Sequence, residues 1–277
     1  MTQEKKFQDL DLNDAFLFAA ALEDPETCRL VLELILGMPI GPVKVRTERS
    51  ILFSKNFRYV RFDVYARDEV DVSYNMEMQN SHKSELPKRS RFHQAELDVA
   101  ELKPGENFNQ LPPSFIIFIC TYDPFSSGLY RYVFEERCAE TGEALGDGAR
   151  RIFLNTKGTN DEEVPRELIQ FLKYVENSTE QVAKDSGDEK IRELHQRVTA
   201  LKRSRELEEK YMTMEEMLKE RETAGLEEGR TAGKEEGQEL ILQLVTLMSN
   251  DGLAQEIPRL KAEKDFLAAM LEKYHLK

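Results

Sequence analysis

Arg61-Phe62-Asp63-Val64, followed fourteen residues after Asp63 by Asn75-Met76-Glu77-Met78-Gln79, is the stretch on which the fold turns. Both segments alternate with the period of a β-strand. Glu77 and Gln79 therefore share one face and Met76 and Met78 the other, and Arg61, Asp63 and Tyr65 lie opposite Phe62 and Val64. The polar link Arg67-Asp68-Glu69-Val70-Asp71 reads as a turn, although it lacks glycine. A hairpin centred on residue 70 pairs Asp63 with Glu77 and Arg61 with Gln79. Directly opposed Cβ atoms lie roughly 4.5–5.5 Å apart. Two carboxylates at that spacing repel unless a cation lies between them, and a hard divalent ion such as magnesium fits the pair. The backbone carbonyl of Met78 is a further candidate ligand. The plain alternative is two surface acids on a solvent-facing strand, which strand propensity and like-charge repulsion both disfavour.

Outward from the hairpin, residues 43–53 read as the strand before it. Residues 11–37 read as helix with an apolar stripe, broken at Asp24-Pro25 and stopped by Gly37. Residues 84–102 read as a second helix with the stripe Phe92, Ala95, Val99, Leu102, closed by Pro104-Gly105. The unbroken apolar run Phe115–Cys120 suits a strand buried on both faces. The core order is helix, three strands, helix, strand. Residues 129–155 add a strand pair with a glycine-rich loop at 142–148, and 162–204 are mostly helical. We expect three parts: a core at 1–160, a helical subdomain at 161–204 and an acidic tail at 205–277.

In that tail Gly225, Gly229, Gly233 and Gly237 recur every four residues. Each glycine costs a helix about 1 kcal/mol relative to alanine. Either the stretch is a helix with a smooth stripe for a partner helix, which predicts a homo-oligomer, or it is a flexible acidic linker. Residues 239–249 and 253–275 then resume a helical pattern.

The net charge of −13 argues against a protein that coats nucleic acid nonspecifically. The acid is unevenly spread: residues 55–103 carry nine bases and nine acids, whereas 205–239 carry six bases and twelve acids. Three cysteines at wide spacing read as reduced thiols, and no histidine stands at zinc-ligand spacing to one of them. The first residues contain no apolar leader, and no run of ~18 apolar residues occurs, so a soluble cytoplasmic protein without membrane contact is expected.

With these elements in place the chain resembles the PD-(D/E)XK nuclease superfamily, an α/β fold with a restriction-endonuclease-like αβββαβ core, here followed by a helical C-terminal extension. The superfamily signature is an Asp on one strand and E-x-K or E-x-Q on the next, matched by Asp63, Glu77 and Gln79. More narrowly, it resembles the bacterial Rpn family of recombination-promoting nucleases/transposases. The resemblance is carried by Asn13-Asp14 with Phe16, NMEMQ at 75–79, KRSRFHQAELD at 88–98, FIIFICTYDPF at 115–125, YRYVFEERC at 130–138, RRIFLNTKG at 150–158, LIQFLKYVEN at 168–177, Tyr211-Met212 and the glycine-patterned tail. The chain departs from the family pattern at Phe16-Leu17, where Phe-Lys is frequent, and at His93, where tyrosine is common.

The resemblance implies an Mg2+-dependent DNA endonuclease (with Mn2+ able to replace the magnesium) that promotes recombination and has a link to mobile DNA. Asp63, Glu77 and Gln79 are then the catalytic residues, with Asp63 and Glu77 holding the metal. Gln79 is neutral, so water activation rests on the metal, on a neighbouring phosphate or on a borrowed cation, for which Arg61 and Arg91 are the candidates. Lys88, Arg89 and Arg91 open the second helix as candidate phosphate contacts. Gln94 follows the family pattern as a support, and Asp14 and Glu33 are candidate outer acids whose ordinary role is a helix cap or a surface charge. Two other readings stay open: a non-catalytic DNA-binding or assembly protein on this fold, and an RNA nuclease.

Overall fold

Asp14 and Asp24 set the first two helices. In this computed structural model, which describes residues 5–54, 57–82, 85–102 and 104–276, with backbone alone for 47–54 and 57–63, helix α1 (Ala15–Leu22) starts at Asp14 and α2 (Pro25–Leu36) at Asp24. The Asp14 carboxylate accepts from Leu17 N at 3.0 Å and that of Asp24 from Thr27 N at 2.9 Å, so both cap orphan amides. Pro25 suits the first turn, and Gly37 ends α2 at φ 70°. Helix α1 is buried on every side rather than along one stripe.

Six strands form one sheet: β1 (Val43–Ser54), β2 (Phe57–Asp68), β3 (Ser73–Gln79), β4 (Ser114–Cys120), β5 (Arg131–Phe134) and β6 (Ala149–Asn155), in the order β1-β2-β3-β4-β6-β5. The hairpin forms as expected. Val64 pairs with Met76, Tyr65 with Asn75, Ala66 with Tyr74 and Arg67 with Ser73, a register symmetric about residue 70. No glycine is needed because Asp71 adopts φ 63°, a region Asp tolerates. The buried Asp68 carboxylate accepts from Val70 N, Val72 N and the Tyr74 hydroxyl, at 3.1, 2.8 and 2.9 Å.

Strands β3 and β4 run parallel, which requires a crossover, and α3 (Leu86–Glu101) supplies it. Residues Ile116–Cys120 of β4 are fully buried, as the apolar run predicts. Glu77 pairs with Phe118 and Gln79 with Cys120; Phe118 and Cys120 belong to the cluster that Leu86 and Leu97 of α3 complete. Asn75, Glu77 and Gln79 therefore face α3, while α1 packs on β2 and β3 from the other side.

The stripe predicted for α3 is corrected here. Phe92 and Val99 are 59% and 78% exposed, and the helix buries Leu86, Ser90, His93 and Leu97 instead. Hydrophobicity alone picks the wrong face because the sheet beneath is partly polar. The groups that meet Glu77 and Gln79 must be polar too.

Helices α4 (Arg166–Glu176), α5 (Glu180–Asp185) and α6 (Glu189–Leu201) follow, and α4 and α6 pack on α2. Residues Met1–Tyr211 form one compact unit and Met212–Lys277 a second. Of the two readings of the tail, the structure has the helix: α7 (Arg205–Asn250) runs unbroken through all four glycines, of which Gly229 and Gly233 are exposed and Gly225 and Gly237 half-buried. In the second unit Leu244 and Met248 of α7 form a small core with Leu260 of α8 (Arg259–Ala262), joined by Phe266, Leu267 and Met270 of α9 (Lys264–Lys273).

Candidate active site

Strand alternation and the α3 crossover converge on Glu77. Its carboxylate is buried, and α3 brings two side chains to it. The Arg89 guanidinium pairs with Oε1 through Nη2. The His93 ring puts Nε2 at 3.4 Å from Oε2 and Nδ1 at 3.4 Å from Glu96. The ring of His93 also lies 5.9 Å from that of Phe118, which fixes it against the sheet. Oε2 of Glu77 is buried and makes no hydrogen bond among the described residues.

Gln79, also buried, continues the same face. Its Oε1 accepts from Arg89 Nη1 at 3.1 Å, and its Nε2 donates to the Ser81 carbonyl at 3.0 Å. A guanidinium only donates and a carbonyl only accepts, so this pair of neighbours sets the amide's orientation. Cys120 lies beside it on β4, where burial pushes the thiol up to about 12 and so favours the protonated, weakly nucleophilic form.

The remaining candidates are placed as follows. Asp63 and Arg61 lie outside the residues whose side chains are described; the β2–β3 register ends at Val64 and Met76, one residue short of Asp63 and three short of Arg61. The Met78 side chain is buried on the face away from α3. Lys88 and Arg91 are exposed near the start of α3. Arg91 is thus turned away from Gln79, and Arg89, assigned by sequence to phosphate, is the guanidinium that reaches it.

Gln94 donates to Asp98 at 2.9 Å and to the Ser114 hydroxyl at 2.8 Å. Ser114 pairs with Ser73, four residues before Glu77, so Gln94 ties α3 to the sheet at a distance from Glu77. Asp14 caps α1, and burial raises its pKa above the usual carboxylate range. It sits near the end of β3, because Asn80 Nδ2 donates to the neighbouring Asn13 carbonyl at 2.5 Å.

Glu33 has another role. It accepts from Lys190 of α6 at 2.6 Å, from Arg29 at 2.8 Å and from the Ile40 amide at 3.2 Å, which makes it a tie between α2, the following loop and α6. His93 was missed as a site residue. The signal that could have found it is its spacing from Arg89, one helical turn, once Arg89 is placed on Glu77.

Among the described residues no three His, Cys, Asp or Glu side chains converge as a metal-binding group, and Glu77 is the member of the predicted pair whose side chain is described. What it offers is a buried carboxylate oxygen that makes no hydrogen bond and has the His93 ring 3.4 Å away, a position that a cation bound beside the imidazole would complete.

A helix pair, three strands, a crossover helix and a fourth strand on a mixed sheet make up the PD-(D/E)XK nuclease fold, with Glu77 and Gln79 on its third strand. The family model described as PD-(D/E)XK nuclease family transposase matches residues 44–226, and the chain belongs to that family. No curated protein and no solved structure gives a significant match. No helix among the described residues is long and apolar enough to cross a membrane.

Proposed function

We propose that this protein is a metal-dependent endonuclease that hydrolyses DNA phosphodiester bonds, and that its cutting promotes recombination. The observation that carries the reading is the Glu77 carboxylate, buried under α3 with Oε2 making no hydrogen bond among the described residues. The β2–β3 ladder ends at Val64 and Met76, and its symmetry about residue 70, carried one residue further, is what supports pairing Asp63 with Glu77.

Asp63 and Glu77 are then the residues that hold a divalent cation, magnesium by its preference for hard oxygen ligands, with the Met78 carbonyl as a further ligand. A bound ion of this kind supplies charge to the phosphate and makes a water acidic enough to attack near neutral pH. The chain's own groups do the rest. The Gln79 amide, held between Arg89 and Ser81, orients the attacking water. Lys88 and Arg91, exposed near the start of α3, fix the duplex through its phosphates and carry no sequence information.

Plasmid cleavage in magnesium tests this. Asp63→Ala and Glu77→Ala, made separately, are each expected to slow cleavage by roughly 10³-fold, the size of several kcal/mol of lost charge stabilisation. Undiminished cleavage by both variants ends the proposal, and preferential cleavage of a matched RNA moves the substrate class.

A further inference from the structure

Gln79 leaves a chemical gap: a neutral amide stands on β3 beside a buried carboxylate, so the strand itself carries no cation next to the attacking water. The fold fills the gap from α3. One guanidinium, that of Arg89, spans both groups, with Nη1 on Gln79 Oε1 at 3.1 Å and Nη2 on Glu77 Oε1. The Arg89 side chain is 19% exposed, and its helix is pinned at that turn by the buried Leu86, Ser90 and His93.

From this geometry we propose that Arg89 is the positioning residue that supplies, from the helix, the positive charge that a lysine at position 79 would carry on the strand. The inference rests on the nuclease reading above and assigns Arg89 a different task from phosphate contact. A guanidinium stays protonated at every relevant pH, so Arg89 is a fixed charge and no proton carrier. It polarises the Gln79 amide by donating to Oε1 and holds the Glu77 carboxylate in place through Oε1, so that Oε2, with His93 Nε2 3.4 Å away, is the oxygen turned to a cation. Arg91 does not share the role, being exposed two residues further along the helix.

The test compares wild type, Arg89→Gln and the double variant Arg89→Gln with Gln79→Lys. Three quantities are read: cleavage rate at saturating DNA in magnesium, DNA affinity and its salt dependence in calcium, and melting temperature without metal. Arg89→Gln is expected to cleave on the order of 100-fold more slowly, as for loss of one preorganised electrostatic group. Its DNA affinity should stay within about twofold and its salt slope unchanged, because phosphates are not what Arg89 touches. Its melting temperature falls, since Glu77 loses its counter-charge. Adding Gln79→Lys restores most of the rate and of the melting temperature.

Wild-type cleavage by Arg89→Gln overturns the proposal. So does weaker DNA binding with a salt slope smaller by about one, the signature of a phosphate contact. If Arg89→Gln does not fold, the double variant decides alone: folded and active supports the proposal, and unfolded or inert overturns it. A wild-type protein that cuts no DNA in magnesium or manganese sinks the nuclease reading instead. The melting temperatures then decide whether a lysine at 79 replaces the Arg89 charge.

Discussion

Glu33 shows how a single residue's task depends on what the fold brings to it. Burial alone would raise its pKa, but hydrogen bonds from Lys190 and the Ile40 amide and the charges of Lys190 and Arg29 bring it below the ordinary 4.5. A depressed carboxylate adds stability that is present above the unfolded-state pKa and is lost as pH falls through the folded one. Glu33→Gln should therefore cost about 1 kcal/mol at neutral pH, discounted because Lys190 and Arg29 are partly exposed. The difference from wild type should shrink as pH drops below 4.5. Urea denaturation at pH 7 and pH 3.5 checks this; a gap that is the same at both pH values contradicts it. Nothing in the local sequence around Glu33 announces this role, because Lys190 is 157 residues away. Glu77 and Gln79 were legible because a strand's period of two assigns faces without knowledge of distant partners. Arg89 was legible as a basic residue opening a helix, but its target depends on the angle at which that helix meets the sheet.

The elements themselves were largely legible. Asp24-Pro25 and Gly37 mark real helix ends, and the turn about residue 70 sets the hairpin register even without glycine. The failure is one of orientation: α3 presents the opposite face to the one its apolar residues suggest. That correction is measurable. Leu97→Ala should cost about 2–4 kcal/mol, as for a buried leucine. Phe92→Ser and Val99→Ser should stay within about 0.5 kcal/mol of wild type, as for exposed positions. If Phe92 or Val99 proves the costly site, the face is assigned wrongly and the approach of Arg89 to Glu77 fails with it.

At the scale of the whole molecule, the first unit, Met1–Tyr211, holds the sheet, both faces of helix and the Glu77 cluster; the second, Met212–Lys277, has a small core of its own. The negative net charge sits comfortably with this, since residues 55–103, which bear the site, are neutral and the excess acid lies elsewhere in the chain. Family membership over residues 44–226 spans the hairpin, α3 and the rest of the sheet. Under α3 lies a carboxylate out of water, met on one oxygen by Arg89 and with His93 3.4 Å from the other, where our proposal adds a cation shared with Asp63.

Calorimetric titration of the protein with manganese, for wild type, Asp63→Ala and Glu77→Ala, addresses that sharing most directly. One binding site in wild type that is lost in each single variant is the predicted result. A site that keeps its affinity after either substitution contradicts the account.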